Sequence, residues 1–390
     1  MKMKILLISD VYFPRINGVS TSIRTFVYQL QKLGHEVTLI APDYGHKTED
    51  ESWIIRVPSR ELFFDPEDRL MKSSEVMRLL PYLKNQYFDV IHVHTPFAAH
   101  YLGLKLGRLM RVAVVETYHT FFEDYLHLYL PIIPKFIAKA IARRISENQC
   151  NAVDGVISPS KPMLNVLKRY GVSQYAQVIP TGLQAKSFEQ ADGNEFRAAY
   201  GISKDIPMAL YVGRVAHEKN ISFLLQMWTH VIKVNSKALL VIAGEGPAEK
   251  SLHKLTQSLG LSNHVKFIGY LDRNTQLNAC YKAADVFVFS SLSETQGLVL
   301  LEAMAQGTPV VAVAELGTKS ILIEGKGAMI APLKEKLFAE KVLGLLADKK
   351  ARQVLGATGL AYVKESWTDE VQAKRLIDFY LEVVTSKKFH

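Results

Sequence analysis

Short apolar runs alternate with longer segments of helical period along the whole chain. In the first half the runs fall at 5–9, 36–41, 90–94, 112–117, 155–159 and 177–180; in the second they fall at 208–212, 238–243, 265–268, 284–289 and 309–313. Continuous apolar runs of this length predict strands buried on both faces. The intervening segments carry apolar residues at helical spacing, as in 21–33, which ends at Leu33-Gly34-His35. Strand and helix in alternation predict doubly wound parallel α/β sheets. The pattern restarts after a polar stretch, 184–205, containing Asp192-Gly193-Asn194 and Tyr200-Gly201. Two Rossmann-like domains are therefore expected, at 1–190 and 204–368, with a hinge in the polar stretch. Ligands of open α/β sheets bind at the carboxyl ends of the strands, so the expected site is the cleft where the two sheets face each other.

Length agrees with this division, because 390 residues exceed one ordinary core. Apolar content of 48% and charged content of 22% describe a globular chain, and no apolar run is long enough to span a bilayer. The amino terminus is basic then apolar, but its run is cut short by Asp10 and has no small-residue cleavage site, so it reads as a first buried strand. Cys150 and Cys280 are far apart and outside any metal-like cluster, which suits a reducing cytoplasm and free buried thiols. A net charge of +9 favours anionic partners: nucleotide phosphates, nucleic acid or an acidic membrane face. Aromatic and basic residues are not interleaved on any one segment, which argues against nucleic acid.

The densest chemistry lies at 290–309. Glu294 sits in the loop after the strand at 284–289, and Glu302 sits inside the helix that opens near Gly297-Leu298 and stops at Gly307-Thr308-Pro309. A helix that begins where a strand ends presents free N–H groups, here those of Gly297, Leu298 and Val299, which suit a diphosphate. Flanking carboxylates suit hydroxyl groups. The layout fits a sugar nucleotide, with Glu294 toward the sugar and Glu302 toward a ribose. Val299, Leu300, Ala303 and Met304 make this helix apolar, and a buried Glu302 is costly unless partnered.

The strand at 208–212 runs into Gly213-Arg214, with Lys219 five residues on. Arg214 and Lys219 offer a fork and a point charge to a diphosphate. A departing nucleoside diphosphate gains charge, so cations held there stabilise the transition state more than the ground state. In the first domain, Asn17-Gly18 reads as a turn ahead of the first helix and as a second loop able to close on phosphates. The glycine-rich dinucleotide pattern is absent there. His119 follows the strand at 112–117, where a structural and a catalytic role are equally open on residue chemistry alone. His92 and His94 are expected on opposite faces of their strand, hence not a metal pair, and no other cluster has metal-ligand spacing.

Taken in order, Asn17-Gly18-Val19-Ser20, Ile179-Pro180-Thr181-Gly182, Gly213-Arg214 with Lys219, and Glu294 with Glu302 resemble retaining glycosyltransferase family 4 over nearly the whole chain. The resemblance implies the GT-B fold, with a terminal helix near 369–385 that crosses back to the first domain. It implies that Arg214 and Lys219 bind the diphosphate, Glu302 the ribose and Glu294 the donor sugar. It also implies that Gly18 approaches phosphate or sugar and that His119 lies near the reacting carbon. Catalysis would be retaining and independent of metal or other cofactor, with the leaving phosphate helping to deprotonate the acceptor. Two departures stand out: Gln296 where the family often has Phe, and Leu316-Gly317 where it often has two glycines.

The Ser293-Glu294-Thr295-Gln296-Gly297 variant and residues 119–125 are most similar to bacterial diacylglycerol glucosyltransferases of this family, implying a UDP-sugar donor, glucose and a lipid acceptor. Residues 131–150 agree. Ile133, Phe136, Ile137, Ala140, Ile141 and Ile145 form one side, while Lys135, Lys139 and Arg143 recur every fourth residue beside Arg144. Such a helix suits an anionic membrane surface, although a helix packed on its own core reads the same way. The expectation is a cytoplasmic enzyme, peripheral on the inner face of the membrane. A soluble acceptor or a sugar-nucleotide 2-epimerase are the competing readings, the latter lacking the glutamate pair.

Overall fold

A computed structural model describes residues 2–45, 50–62, 65–119, 121, 123, 134–273 and 275–388, with only the backbone at 62, 65–68, 135 and 388. The chain forms two compact units, Met1–Gly182 with Asp369–His390, and Leu183–Thr368. In chain order the strands of the first unit are β1 (Lys4–Ile8), β2 (Glu36–Pro42), β3 (Ile54–Val57), β4 (Ser59–Leu62), β5 (Asp65–Met71), β6 (Val90–Val93), β7 (Ala113–Thr117), β8 (Gly155–Ser158) and β9 (Ala176–Val178). Seven of them form a sheet in the order β3-β2-β1-β6-β7-β8-β9, and β4 pairs with β5 as a separate antiparallel hairpin. The second unit contains β10 (Met208–Val212), β11 (Leu239–Ala243), β12 (Val265–Phe267), β13 (Val286–Phe289), β14 (Val310–Ala312) and β15 (Ala328–Ile330), ordered β12-β11-β10-β13-β14-β15. Each large sheet is parallel throughout.

The central strands are apolar because both their faces are covered by helices. Every residue of β6, β7, β10, β13 and β14 is buried. In each sheet the strand order reverses between two neighbours, β1 and β6 in one, β10 and β13 in the other. Successive connections run away from that seam on either side, which leaves a crevice at the strands' carboxyl ends.

The strands expected from the apolar runs are present. Three elements were not foreseen: β3, β15 and the β4–β5 hairpin. β3 is an edge strand with three half-buried residues, and β15 has three residues in all, so neither produces a run of buried length. The units do not divide within the polar stretch at 184–205. The chain passes between units at Gly182–Leu183 and Thr368–Asp369. Residues of the polar stretch are held in the second unit, where Gln306 Nε2 donates to the Ser187 and Glu189 carbonyls at 2.7 and 2.9 Å. Phe196 enters the second core and Arg197 donates to Ala283 O at 2.8 Å. Among the described residues, no helix is long and apolar enough to cross a membrane.

The terminal helix Asp369–Lys388 belongs to the first unit, where Ala373, Leu376, Phe379, Tyr380 and Val383 join its core. Phe379 is fully buried. Phe379→Ala should therefore destabilise the first unit by about 3–5 kcal/mol, the range for removing a buried aromatic ring. Hydrogen exchange checks this: amides of β1 and β7 should exchange faster while those of β10 and β13 are unchanged. Equal acceleration in both units would detach the helix from the first core.

Candidate functional site

The second unit gathers its candidate residues at the β10–β13 seam. β10 leads through Gly213 and Arg214 to a single 3-10 turn, His217–Lys219, and then to the helix Ile221–Val234. β13 leads through Ser290–Gln296 to the helix Leu298–Ala305. Because the two strands are parallel neighbours, their following loops lie side by side and are cross-linked. Asn220 Nδ2 donates to Ser290 O at 3.3 Å, and Ser290 Oγ donates to Asn220 O at 2.9 Å. Lys219 Nζ meets Glu294 Oε1 at 2.6 Å, with both side chains four-fifths buried or more. A charge-assisted hydrogen bond of this length is among the stronger single contacts a chain makes.

Arg214 is more open, with its side chain 42% exposed and its guanidinium 3.9 Å from Glu218. Beneath this loop the Tyr211 hydroxyl donates to Arg214 O at 3.2 Å. Burial, reinforced by the Glu294 and Glu218 carboxylates, pushes the Tyr211 phenol well above its ordinary pKa, so it stays a donor.

Gly297 begins the helix Leu298–Ala305 at φ +98°, a left-handed conformation that disfavours other residues. No side chain caps this helix, so the Leu298 and Val299 end presents amides of the kind that bind anions. Glu302 lies on the same helix, 4% exposed. It is ion-paired with Arg273 and accepts from the Tyr281 hydroxyl at 2.8 Å. Neither partner was foreseen. Tyr281 occupies an apolar-looking helical position and Arg273 a polar loop, and no spacing links either to Glu302.

The two departures from the family pattern acquire a geometry. A Cβ on Gly317 would stand 2.0 Å from Thr295 O, and Gly317 N donates to Glu294 O at 2.8 Å, so only glycine lets this turn brace the Glu294 loop. Leu316 occupies the left-handed region at φ +47°, where a glycine would be unstrained. Gln296 is buried in the same loop.

In the first unit, Asn17-Gly18 is a helix start rather than a turn before one. The helix Gly18–Lys32 begins three residues earlier than expected because Asn17 Oδ1 caps it, accepting from Ser20 N at 2.9 Å. The space around a Cβ at Gly18 is open to 4 Å. His119 stacks on His94, with His94 Nδ1 3.0 Å from His119 Nε2. His92 and His94 share a face, contrary to expectation, because residues two apart on a strand point the same way. Their ring centroids are 4.0 Å apart. His92 is bonded to Tyr380 and Thr117 at 2.6 and 2.7 Å. Burial lowers all three imidazoles, His92 to about 3, His119 to about 4 and His94 well below 6.5, with the neighbouring rings adding to the effect on His92 and His94. No group of three or more residues able to hold a metal ion occurs among the described residues.

The helix expected at 131–150 is described from Lys135 to Ala152, so Pro131, Ile132 and Ile133 lie outside the described residues, as do Thr120, Phe122, Asp124 and Tyr125 of the 119–125 motif. It turns Ala138, Ala142, Ser146 and Cys150 inward. Phe136 is 74% exposed, and Ile137, Ile141 and Ile145 form an exposed stripe. Lys139 and Arg143 do not simply extend to solvent. Glu123 takes two hydrogen bonds from Arg143, at 2.6 and 3.1 Å, one from Tyr170, and lies 3.4 Å from Lys139. Burial raises the Glu123 carboxyl, but hydrogen bonds from Arg143 and Tyr170 and the nearby cations outweigh it and hold it at about 2. Arg143 still exposes 54% of its side chain, and Arg144, 70% accessible, pairs with Glu147 at 2.8 Å.

Residues 16–186 match the model of Glycosyltransferase Family 4, and residues 192–361 that of Glycosyl transferases group 1. The alpha-monoglucosyldiacylglycerol synthase of Streptococcus pneumoniae is 32% identical over 99% of this chain and 87% of its own. The synthase of the same name from Acholeplasma laidlawii is 28% identical, covering 98% of each. Among solved structures, sucrose-phosphate synthase from Thermosynechococcus elongatus superposes with a TM-score of 0.80 at 23% identity, covering 99% of this chain and 100% of that one. Anabaena HepE, in complex with UDP-glucose, superposes at 0.75 and 17% identity, covering 98% and 100%. These two establish likeness of fold.

The histidine cluster yields a pH dependence. Each folded imidazole titrates below the unfolded value of about 6.5, so the unfolded chain takes up protons first. Stability is full above about pH 6.5 and is lost as pH falls toward the folded values, by up to about 1.4 kcal/mol per pH unit and histidine. Denaturant midpoints between pH 8 and pH 5 should fall on the acid side, and His94→Gln should flatten the slope. A midpoint independent of pH would show the cluster to be solvated.

Proposed function

This chain belongs to glycosyltransferase family 4, and on that premise we propose that it transfers glucose from UDP-glucose to a diacylglycerol-type membrane lipid with retention of configuration. The observation that carries the donor half is the Lys219–Glu294 pair at the β10–β13 seam, beside an uncapped helix end. Lys219 and Arg214 hold the diphosphate, with the Gly297, Leu298 and Val299 amides on the same charge. Glu294, whose charge balances Lys219, accepts from hydroxyls of the sugar, and Glu302 from those of the ribose. As the glycosidic bond breaks, negative charge grows on the diphosphate, and these fixed donors stabilise it without reorganising. The leaving phosphate takes the acceptor proton. The family resemblance gives His119, kept neutral by its burial, a hydrogen-bonding role toward the donor sugar, and Gly18 one toward phosphate or sugar.

The acceptor half rests on two supports. The relatives from S. pneumoniae and A. laidlawii carry the name of a glucosyldiacylglycerol synthase. The helix Lys135–Ala152 exposes Phe136, Ile137, Ile141 and Ile145 beside Arg144, an apolar stripe with a cationic edge that fits an anionic bilayer. Each apolar side chain that enters the bilayer contributes up to about 1.5–3 kcal/mol, and each cation near it about 1 kcal/mol. That is reversible attachment, suited to a peripheral enzyme on the cytoplasmic face.

Hydrolysis and transfer assays with UDP- and GDP-sugars, with and without diacylglycerol-containing anionic vesicles, test the assignment. UDP-glucose should be the best donor and vesicles should yield a glucosyl lipid. A soluble acceptor used faster than any lipid, or a preferred GDP-sugar, would overturn it. Arg214→Ala should lower turnover by about two to three orders of magnitude with folding intact, the usual effect of removing one preorganised donor; Lys219→Ala should lower it as much and also cost stability, because it leaves Glu294 unpaired. Wild-type rates would remove these residues from the phosphate site.

Ile141→Asn with Ile145→Asn should cut vesicle co-sedimentation and lipid transfer at least tenfold and leave donor hydrolysis unchanged. These positions test docking better than Arg143, whose loss would also strand Glu123. Equal vesicle binding by variant and wild type would remove the helix from the membrane.

A further inference from the structure

We infer that Arg273 and Tyr281 are positioning residues that orient the Glu302 carboxylate toward the donor's ribose, an inference that rests on the role proposed above for Glu302. Glu302 is almost wholly buried, and each of its oxygens already has a protein donor. Arg273 bonds Oε1, and the Tyr281 hydroxyl bonds Oε2 at 2.8 Å. An ionised carboxylate offers about four lone-pair sites, so one donor on each oxygen leaves about two. A ribose presents two vicinal hydroxyls, both able to donate. The remaining capacity matches them.

Orientation is the second part of the argument. The terminal torsion of a glutamate is broad and roughly two-fold, so an unrestrained carboxylate would present its free lone pairs over a wide arc. A donor on each oxygen defines its plane. Both donors are themselves held. Tyr281 is fully buried, lies 5.7 Å from the Phe287 ring, and its carbonyl accepts from Thr308 Oγ1 at 2.6 Å. Burial raises its phenol well above the ordinary value, against the pull of Arg273, so it remains a donor. Arg273 follows Asp272, whose carboxylate accepts from Thr275 N and Oγ1 at 2.9 and 2.8 Å, while Gln276 Oε1 accepts from Asp272 N at 3.1 Å. The guanidinium is planar and stays charged at any working pH, so it compensates the buried carboxylate as well as aiming it. Arg273 is three-quarters buried and comes from the loop after β12, so it reaches Glu302 from a different element than Tyr281 does.

The test is calorimetry on the full chain with UDP and its 2′-deoxy and 3′-deoxy counterparts, repeated with the guanosine series. The readout is the ratio of ribo to deoxy affinity, which a merely structural role would not move. Wild type should favour the ribo form about tenfold or more, the scale of one hydrogen bond to a charged group. Arg273→Ala should reduce that ratio to about threefold or less, with Arg273→Lys in between. Tyr281→Phe, which keeps the ring and removes one donor, should lower the ratio about threefold and remains informative if Arg273→Ala does not fold.

Wild-type ratios in both Arg273→Ala and Tyr281→Phe would overturn the inference. So would tighter ribonucleotide binding in Arg273→Ala, which would mean that the guanidinium competes with the ribose. Glu302→Ala separates the two levels. If it keeps the wild-type ratio, the ribose role of Glu302 fails and the inference with it. If it loses the ratio while the other two variants keep it, the inference alone fails.

Discussion

The parallel pairing of β10 with β13 is the constraint on which the second unit's chemistry depends. Ala209 stands opposite Val286 and Leu210 opposite Phe287, so both strands end at the same level. Their crossover helices leave in opposite directions, and no connection covers the seam. The loops that follow must therefore run side by side. Lys219 and Glu294 meet for that reason, and the Asn220 and Ser290 hydrogen bonds keep them from separating. The strand pair owes its existence in turn to burial, since all five residues of β10 and all four of β13 are inside.

Three buried or half-buried carboxylates of this framework are paired with cations, which offsets the cost of desolvation. Glu302 has Arg273 and Tyr281; Asp285 has Arg197 at 3.0 Å and Arg352 at 3.2 Å; Glu123 has Arg143, Lys139 and Tyr170. The pairs differ in what else they can do. Asp285 also accepts from Met208 N, at the start of β10 and far from the strand ends that carry the site. Glu302 lies on the helix that starts beyond β13, and Lys219–Glu294 lies at the seam itself. The same physics serves structure at one end of the sheet and chemistry at the other. His92, His94 and His119 of the first unit follow a second route: burial lowers their imidazoles and keeps them neutral.

The helix Lys135–Ala152 shows how a periodic pattern can be read while the face that packs inward stays open. Its isoleucines and its basic residues are both at helical spacing, so an amphipathic helix was evident. Which stripe packs inward depends on what lies beneath. Here a row of small side chains, Ala138, Ala142 and Ser146, allows close approach, and the larger isoleucines remain outside. Lys139 and Arg143, expected at a membrane surface, also pair with Glu123, a residue whose position no spacing rule links to them.

Local sequence determined the strands of both sheets, because a strand covered on two faces must be apolar along its length. It also determined the order of the glycine, cation and glutamate motifs, because each sits immediately after a strand end. Short or half-exposed elements, β3, β15 and the hairpin, left no such signature. Tertiary structure alone decided that Lys219 pairs with Glu294, that Arg273 and Tyr281 close on Glu302, and that three imidazoles stack beside Tyr380. It also decided that the units divide at Gly182–Leu183, ahead of the polar stretch. Each of these joins residues far apart in the chain, and only the strand order and the packing of helices on the sheets bring them within reach. Composition and periodicity act along the chain; a hydrogen bond between distant residues is set by where the chain returns.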